Sequence, residues 1–345
     1  MKIQINARNR AHHFDAGAGE KILCAGLARG IGLPYECGSG TCGTCRARLV
    51  SGQIEEGWAE APGRKYLKSA DEFLMCQCTA VGDLALEVTG FVEDLDPAVC
   101  VPAAFKGRIR ETRMLTRDVI ELSIDLDSAM DFDAGQFVLV SVASIPGARG
   151  WSMVNHERHA RTLRFIVKRK PGGQLSDWLF ETPREGCDVD VFGPLGAATF
   201  YPELAKNIVC IAGGSGVAGM MAILERAVAA NYFDRHEGDL FFGVRTMADA
   251  FYLEELAAYR ARAGERLRIT IVLSEQAASA AEQAAHSLLR FDTGFVHEAA
   301  GRLMQGRLQG VRAYLAGPAP AVDASVRLLL MARVPGSDIR YDKFS

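Results

Sequence analysis

No stretch of the 345-residue sequence approaches the ~18–20 consecutive apolar residues that a bilayer-spanning helix needs. Charge of one sign is missing too: 39 Lys and Arg stand against 42 Asp and Glu, a net charge of −3. The sequence therefore has no electrostatic footprint for nucleic acid or for an anionic membrane surface. Internal repeats and low-complexity tracts are absent. The opening residues, MKIQINARNRAHHF, lack the apolar core of a signal peptide and alternate like a strand followed by a turn. The nine cysteines are an odd number, and Cys24, Cys78, Cys100, Cys187 and Cys210 are scattered rather than spaced as a disulfide framework. Reduced thiols and a cytoplasmic location are the expectation. What remains is 49% hydrophobic and long enough for two or three domains.

One stretch stands out, Cys37-Gly-Ser-Gly-Thr-Cys42-Gly-Thr-Cys45, with Cys76 further along. The C-x4-C-x2-C spacing with a distant fourth thiol is the plant-type [2Fe–2S] pattern. Small residues between the cysteines let backbone N–H groups turn toward sulfur and negative charge. Zinc sites more often pair two C-x2-C knuckles or add His, and no His lies between Cys37 and Cys76. Cys76 and Cys78 would face the same side of a strand, so spacing alone leaves both open as the fourth ligand.

Strands are expected at Lys2–Ala7, near His13–Phe14, at Arg46–Val50 and at Leu84–Val88, with a helix over Glu20–Arg29 ending in Gly30. Short strands around one helix, with the cysteine loop between, resemble the β-grasp ferredoxin fold over residues 1–92. That resemblance implies Cys37, Cys42, Cys45 and Cys76 as cluster ligands, because the family's fourth ligand is the first cysteine after an apolar pair. Residues 1–90 hold ten basic and ten acidic residues, unlike the strongly acidic photosynthetic ferredoxins. Docking by shape and apolar contact is expected more than long-range steering. Phe91–Pro102, with two prolines and an acidic cluster, reads as a linker.

From 103 to 202, strands are expected at Phe105–Thr112, Val119–Ile124, Gln136–Ser141 and Thr162–Lys168. Four phrases follow in register: Phe132-Asp-Ala-Gly-Gln-Phe137, Arg149-Gly-Trp151-Ser152, Gly172-Gly173-Gln-Leu-Ser176 and Gly193-Pro-Leu-Gly196. Together they resemble the ferredoxin–NADP reductase superfamily, whose domain here is an antiparallel β-barrel binding FAD. The resemblance implies that Arg149 neutralises the flavin pyrophosphate with its fork of donors. It places Trp151 (a tyrosine in most of the family) against the isoalloxazine ring and Ser152 near flavin N5 as a catalytic group. Met153, Val167, Lys168, Gly172 and Gly173 complete the implied site, and Ser176 is expected to cap the helix facing the phosphate. His156 and His159 suggest a solvated loop rather than a metal site.

From 203 to 345, Asn207–Ala212 reads as a buried strand, followed by Gly213-Gly214-Ser215-Gly216 and a helix through Met220 to Ala229. Strand, glycine turn and helix form a dinucleotide phosphate cradle. Further strands at Asp239–Val244, Leu267–Leu273 and Arg312–Ala316, with a helix from Met247 to Tyr259, argue an α/β Rossmann-like domain with a parallel sheet. Gly219 stands where the reductase family has Pro, and Ala316 of Ala316-Gly317-Pro318 where it has Cys. Arg245, Gly317 and Pro318 are implied nicotinamide-cofactor contacts. Phe242-Gly-Val-Arg245 resembles NADH-using oxygenase reductases, and no second basic residue follows closely, which favours NADH over NADPH. The ending Tyr341-Asp342-Lys343-Phe344 resembles the terminal Glu-Lys-Phe of such reductases and implies Phe344 over the flavin, with Asp342 as a nearby carboxylate.

The three units in this order resemble the reductase components of Rieske dioxygenases and soluble di-iron monooxygenases. The resemblance implies electron flow from NADH through FAD and a [2Fe–2S] cluster to an oxygenase component or an intermediary ferredoxin, in aromatic-compound catabolism. It also implies a cluster loop near the surface. Rivals are a self-sufficient oxygenase, a stand-alone flavin or ferric reductase, and a non-catalytic redox-sensing module.

Overall fold

A computed structural model describes residues 1–343; Phe344, expected over the flavin, lies outside the described residues. The chain builds three large sheets in sequence, with a separate two-stranded pair in the first unit.

The first unit has strands β1 (Lys2–Asn6), β2 (Ala11–Asp15), β3 (Arg46–Ser51), β4 (Ile54–Glu56), β5 (Glu72–Leu74), β6 (Cys78–Ala80) and β7 (Leu84–Glu87), with helix α1 (Ile22–Ala28). The main sheet runs β2-β1-β7-β3-β5 and β4 pairs with β6. Ile3 and Ile5 alternate inward on β1 and pack against Ile22, Leu23 and Leu27 of α1. This is the expected β-grasp arrangement. The supposed linker is partly fastened: Gly32 N–H donates to Glu93 O at 2.8 Å, and His12 Nε2 lies 2.9 Å from Val92 O. Acidic residues and proline broke the periodicity there, but backbone pairing needs no periodicity.

The second unit has β8 (Ala103–Thr116), β9 (Val119–Met130), β10 (Phe137–Ser141), β11 (Arg149–Ser152), β12 (Ala160–Lys168) and β13 (Asp188–Leu195), with helix α2 (Gln174–Glu181). Its antiparallel sheet runs β11-β10-β13-β8-β9-β12. A bridge between Met153 and Phe165 brings the β11 end back to β12, curling the sheet toward a barrel. β8 and β9 run several residues beyond the expected ends as a long hairpin.

The third unit alternates β14 (Ile208–Gly213), α3 (Val217–Ala229), β15 (Gly238–Val244), α4 (Leu253–Ala263), β16 (Leu267–Leu273), α5 (Ala280–Ala285), β17 (Arg290–Thr293), α6 (Val296–Leu303), β18 (Arg312–Gly317), α7 (Ala319–Met331) and β19 (Ile339–Lys343). All strands pair in parallel, in the order β17-β16-β15-β14-β18-β19. Both faces are covered, so β14–β16 read as nearly continuous apolar runs. The expected helix from Met247 to Tyr259 is two pieces. Asp249 Oδ2 accepts from Thr246 N–H at 3.1 Å and Thr246 Oγ1 at 2.8 Å, closing a separate short turn over Met247–Asp249. Tyr252 then takes φ +60° before α4 begins, and its hydroxyl donates to Glu121 of the barrel at 2.6 Å. Glu121 also accepts from Arg113 and Arg164, each at 2.7 Å. This buried carboxylate joins the second and third units.

The first unit is not tethered loosely. Phe137, Leu139 and Leu195 of the barrel belong to the ferredoxin-side core, and Tyr35 Oη accepts from Gly196 N–H at 3.0 Å. Among the described residues no helix is long and apolar enough to cross a membrane.

Candidate functional site

The four cysteines converge. Cys45 and Cys76 Sγ lie 3.1 Å apart, and Cys37 and Cys42 form a second hydrogen-bonded pair. Ser39 N–H points at Cys37 Sγ and Thr44 N–H at Cys42 Sγ, both at 3.4 Å, while Gln77 Nε2 donates to Cys76 Sγ at 3.3 Å. The loop can take this path because Gly38, Gly40 and Gly43 all have positive φ, between +61° and +86°. Among the described residues no three or more His, Cys, Asp or Glu gather around one ion position. Two thiol pairs ringed by N–H donors suit a two-iron core, which places two thiolates on each iron, rather than one tetrahedral zinc. Cys78 is wholly buried on β6, where desolvation and then Glu56 push its pKa up to about 12. Among the described residues its thiol makes no comparable pair.

The cysteine loop forms one wall of a cavity of about 1020 Å³ shared by all three units. Cys37, Ser39, Thr41 and Trp58 come from the first unit. Arg149, Trp151, Ser152, Val167, Lys168, Gly172, Gly173 and Ser176 come from the second. Gly213, Gly214, Ser215, Gly216, Arg245, Gly317 and Pro318 come from the third. Most of the expected contacts therefore meet in one place. Two do not: Met153 is fully buried in the barrel core, and Asp342 stands outside the cavity wall. Asp342 pairs with Ala316 across β18–β19 and lies beside Gly196, with Glu36 its nearest charged influence. Burial, then Glu36, raises its pKa to about 7.

On the barrel side, the Arg149 guanidinium has no ion pair among the described residues; Nη1 donates only to Ala148 O, at 2.9 Å. Burial lowers its pKa. An unpaired cation at a cavity wall is suited to a phosphate. Trp151 is only 8% exposed and its ring leans on Phe165 at 54°, yet it lines the cavity. Ser176 does not cap α2. It is the third helical residue, and its hydroxyl is taken up by Lys170 N–H, Lys170 O and Gly173 O. Gly172 N–H is likewise spent on Asp177 at 2.9 Å. The donors left to a phosphate are the first-turn N–H groups of α2.

In the third unit the two glycine turns are packed together. A Cβ on Gly216 would lie 2.5 Å from Ala316 C and O, and one on Gly317 3.0 Å from Gly213 N. Only glycine permits this approach, which aims the start of α3 into the cavity. Arg245 pairs with Asp249 at 3.5 Å. Burial opposes the Asp249 charge, but the Thr246 hydrogen bonds, Arg245 and Arg117 outweigh it and lower its pKa. A carboxylate here matches a ribose hydroxyl, not a 2′-phosphate.

Three regions match family models: a 2Fe-2S iron-sulfur cluster binding domain over residues 5–81, an oxidoreductase FAD-binding domain over 106–200 and an oxidoreductase NAD-binding domain over 210–327. Ferredoxin–NAD(P)(+) reductase CarAd of Metapseudomonas resinovorans is 33% identical over 95% of this chain and 95% of its own. The chain belongs to this ferredoxin–NAD(P)+ reductase family. The ferredoxin–NAD(+) reductase component of the alkene monooxygenase system of Xanthobacter autotrophicus is 32% identical over 97% of this chain and 99% of its own. Among solved structures, the ferredoxin reductase in carbazole 1,9a-dioxygenase superposes with TM-score 0.83 at 31% identity, covering 100% of this chain and 99% of that one. The Amycolatopsis cytochrome P450 reductase GcoB superposes at 0.80 with 26% identity, covering 99% and 98%. The reductase is thus an oxidoreductase with a [2Fe–2S] cluster, FAD and NADH as its cofactors.

Three aromatic cavity residues escaped the sequence reading: Trp58, Phe251 and Phe295. Phe251 and Phe295 sit in loops after strands of a parallel sheet, where ligands gather, and that position was the available signal. Trp58 lies in Gly-Trp-Ala-Glu-Ala-Pro with no motif around it. His156 and His159 do not form a site: His159 is exposed beside Asp131, and His156 is half-buried against Phe132.

Proposed function

We propose that the reductase delivers electrons singly from its [2Fe–2S] cluster to an oxygenase component or to that oxygenase's ferredoxin, within the cytoplasm. Its proposed units are residues 1–92, 103–202 and 203–345. The observation that carries this reading is the shared cavity: cysteine loop, Arg149 strand and both glycine turns face one space. Bound there, FAD would accept a hydride and release its electrons one at a time. The chain's own residues do the positioning. Cys37, Cys42, Cys45 and Cys76 hold the cluster, with backbone N–H groups stabilising its negative charge. Arg149 and the first turn of α2 hold the flavin pyrophosphate. Ser152 lines the cavity from β11, and Gly213–Gly216 with Gly317 and Pro318 shape the floor on which the nicotinamide cofactor would lie. The outer half of the cysteine loop is open: Thr44 is exposed and Cys42 half-exposed, whereas Cys37–Gly40 is buried toward the barrel. With the cluster bound, the buried Cys37 side would face the flavin and the open Cys42 side would face the partner.

The relatives named for carbazole and alkene oxygenation support an oxygenase partner. A stand-alone flavin reductase would leave the fused cluster without a role. The test is NADH-driven reduction of cytochrome c by the full chain and by Cys45→Ser. Cytochrome c reduction falls at least tenfold in the variant while bleaching of the flavin by NADH persists. Equal rates in the two proteins would favour the stand-alone flavin reductase, and no bleaching in either would favour the sensor.

A further inference from the structure

Trp58 belongs to the iron–sulfur unit, yet its ring lies under the Arg149 guanidinium of the barrel, with the carbon of the guanidinium 4.7 Å from the ring centroid. Gly147 makes room for this contact. It has φ +72°, and a Cβ there would lie 2.5 Å from Trp58 Cε3. Trp58 itself packs on the ferredoxin-side core and lines the shared cavity. Among the described residues Arg149 has no carboxylate to orient it, and the indole and Ala148 O are what its guanidinium rests against. A guanidinium lying over a ring can keep N–H groups for a phosphate, and here only Nη1 is spent, on Ala148 O.

We propose that Trp58 is a positioning residue for FAD: the iron–sulfur unit completes the flavin site by holding Arg149 toward the flavin pyrophosphate. Flavin retention and docking of the iron–sulfur unit are then coupled, and by linkage each strengthens the other. The coupling has a use, because electrons cross between these two units only when they are docked. The inference rests on the proposed placing of the flavin pyrophosphate at Arg149.

The experiment follows FAD release from the full-length holoprotein by the rise in flavin fluorescence on dilution, with cluster absorbance recorded in each sample. Trp58→Ala releases FAD about 5- to 10-fold faster, a range set by the strength of partly buried cation–π contacts. Trp58→Phe, which keeps an aromatic face, stays within about threefold of wild type. In an Arg149→Ala background, which by itself accelerates release, Trp58→Ala adds less than twofold, because the contact it removes is already gone. If Trp58→Ala loses its cluster, Trp58→Leu decides, since it keeps apolar packing on the ferredoxin-side core but removes the aromatic face; faster release supports the coupling, and unchanged release overturns it. Unchanged release in Arg149→Ala would overturn the placing of the pyrophosphate. Faster release in Arg149→Ala with wild-type release in Trp58→Ala would overturn the role of Trp58 alone.

Discussion

The Sγ atoms of Cys45 and Cys76 stand 3.1 Å apart although 31 residues separate them in the chain. The contact is made because Met75 N–H donates to Cys45 O at 3.1 Å and β3 pairs with β5, so the segment before Cys76 is laid against the end of the cysteine loop. Cys78, two residues on, is carried away into the β4–β6 pair.

This geometry separates two otherwise similar substitutions. Cys76→Ser loses most of the cluster's visible absorbance and iron content. Cluster binding stabilises the fold around it, so the melting temperature of that variant falls as well. Cys78→Ser keeps the cluster and loses only about 1 kcal/mol from placing a hydroxyl in an apolar site. Iron analysis and absorbance of the two purified proteins check it.

Two glycines of the third unit differ in what surrounds them. Gly216→Ala forces a Cβ to 2.5 Å from backbone atoms of Ala316, so the turn must open. KM for NADH rises at least tenfold while bound FAD stays constant. At Gly219 the nearest neighbours to an added Cβ are 3.7 Å away, among them Ser152 Cβ. Gly219→Ala is accepted and stabilises α3 by up to ~1 kcal/mol through helix propensity. Steady-state kinetics and thermal melts distinguish the pair.

Asp249 holds Arg245 at 3.5 Å and lines the cavity. In Asp249→Asn this charge is gone and Arg245 is free to meet a 2′-phosphate. The ratio of kcat/KM for NADPH over NADH rises about tenfold, as the loss of roughly 1.4 kcal/mol of repulsion implies. An unchanged ratio would show that neither residue reads the ribose.

Asp342 gives the reductase a pH signature. Its folded pKa is raised to about 7 from an ordinary 3.8, by burial and then by Glu36. The folded chain therefore binds this proton more tightly than the unfolded one. The stabilisation is complete below the ordinary value and is lost as pH rises through about 7. Asp342→Asn removes the dependence, so its melting temperature declines less than that of wild type between pH 4 and pH 7.5 (about 4 and 7.5 bracket the two pKa values). Because the residue is buried only in part, the difference at the alkaline end is discounted to roughly 1 kcal/mol. Parallel melting curves across that range would remove Asp342 as the source.

Much of this was readable from local patterns. Cysteine spacing, glycine turns after apolar strands and the Arg149–Ser152 phrase each depend on a few neighbouring residues, and each reached the shared cavity. Element ends were less readable where side chains reach across the chain. The turn at Asp249 and the break at Tyr252 are decided by Thr246 and by Glu121 in another unit, which no local period encodes. Ser176 has the residue type of a cap, yet the loop before it bends so that its hydroxyl closes on Lys170 and Gly173 instead.

By itself the sequence determined three units in order and the residue types they carry: a plant-type cysteine spacing, an arginine beside Trp151-Ser152, and glycine-rich turns after strands. Those follow from residue type and short spacing, which survive any packing of the units. Only the tertiary structure decided which cysteine meets Cys45, that Asp342 stands behind Gly196 rather than on the cavity wall, and that Trp58 of the iron–sulfur unit lies under Arg149. Each is a contact between distant segments, set by how sheets dock and how burial is shared between them.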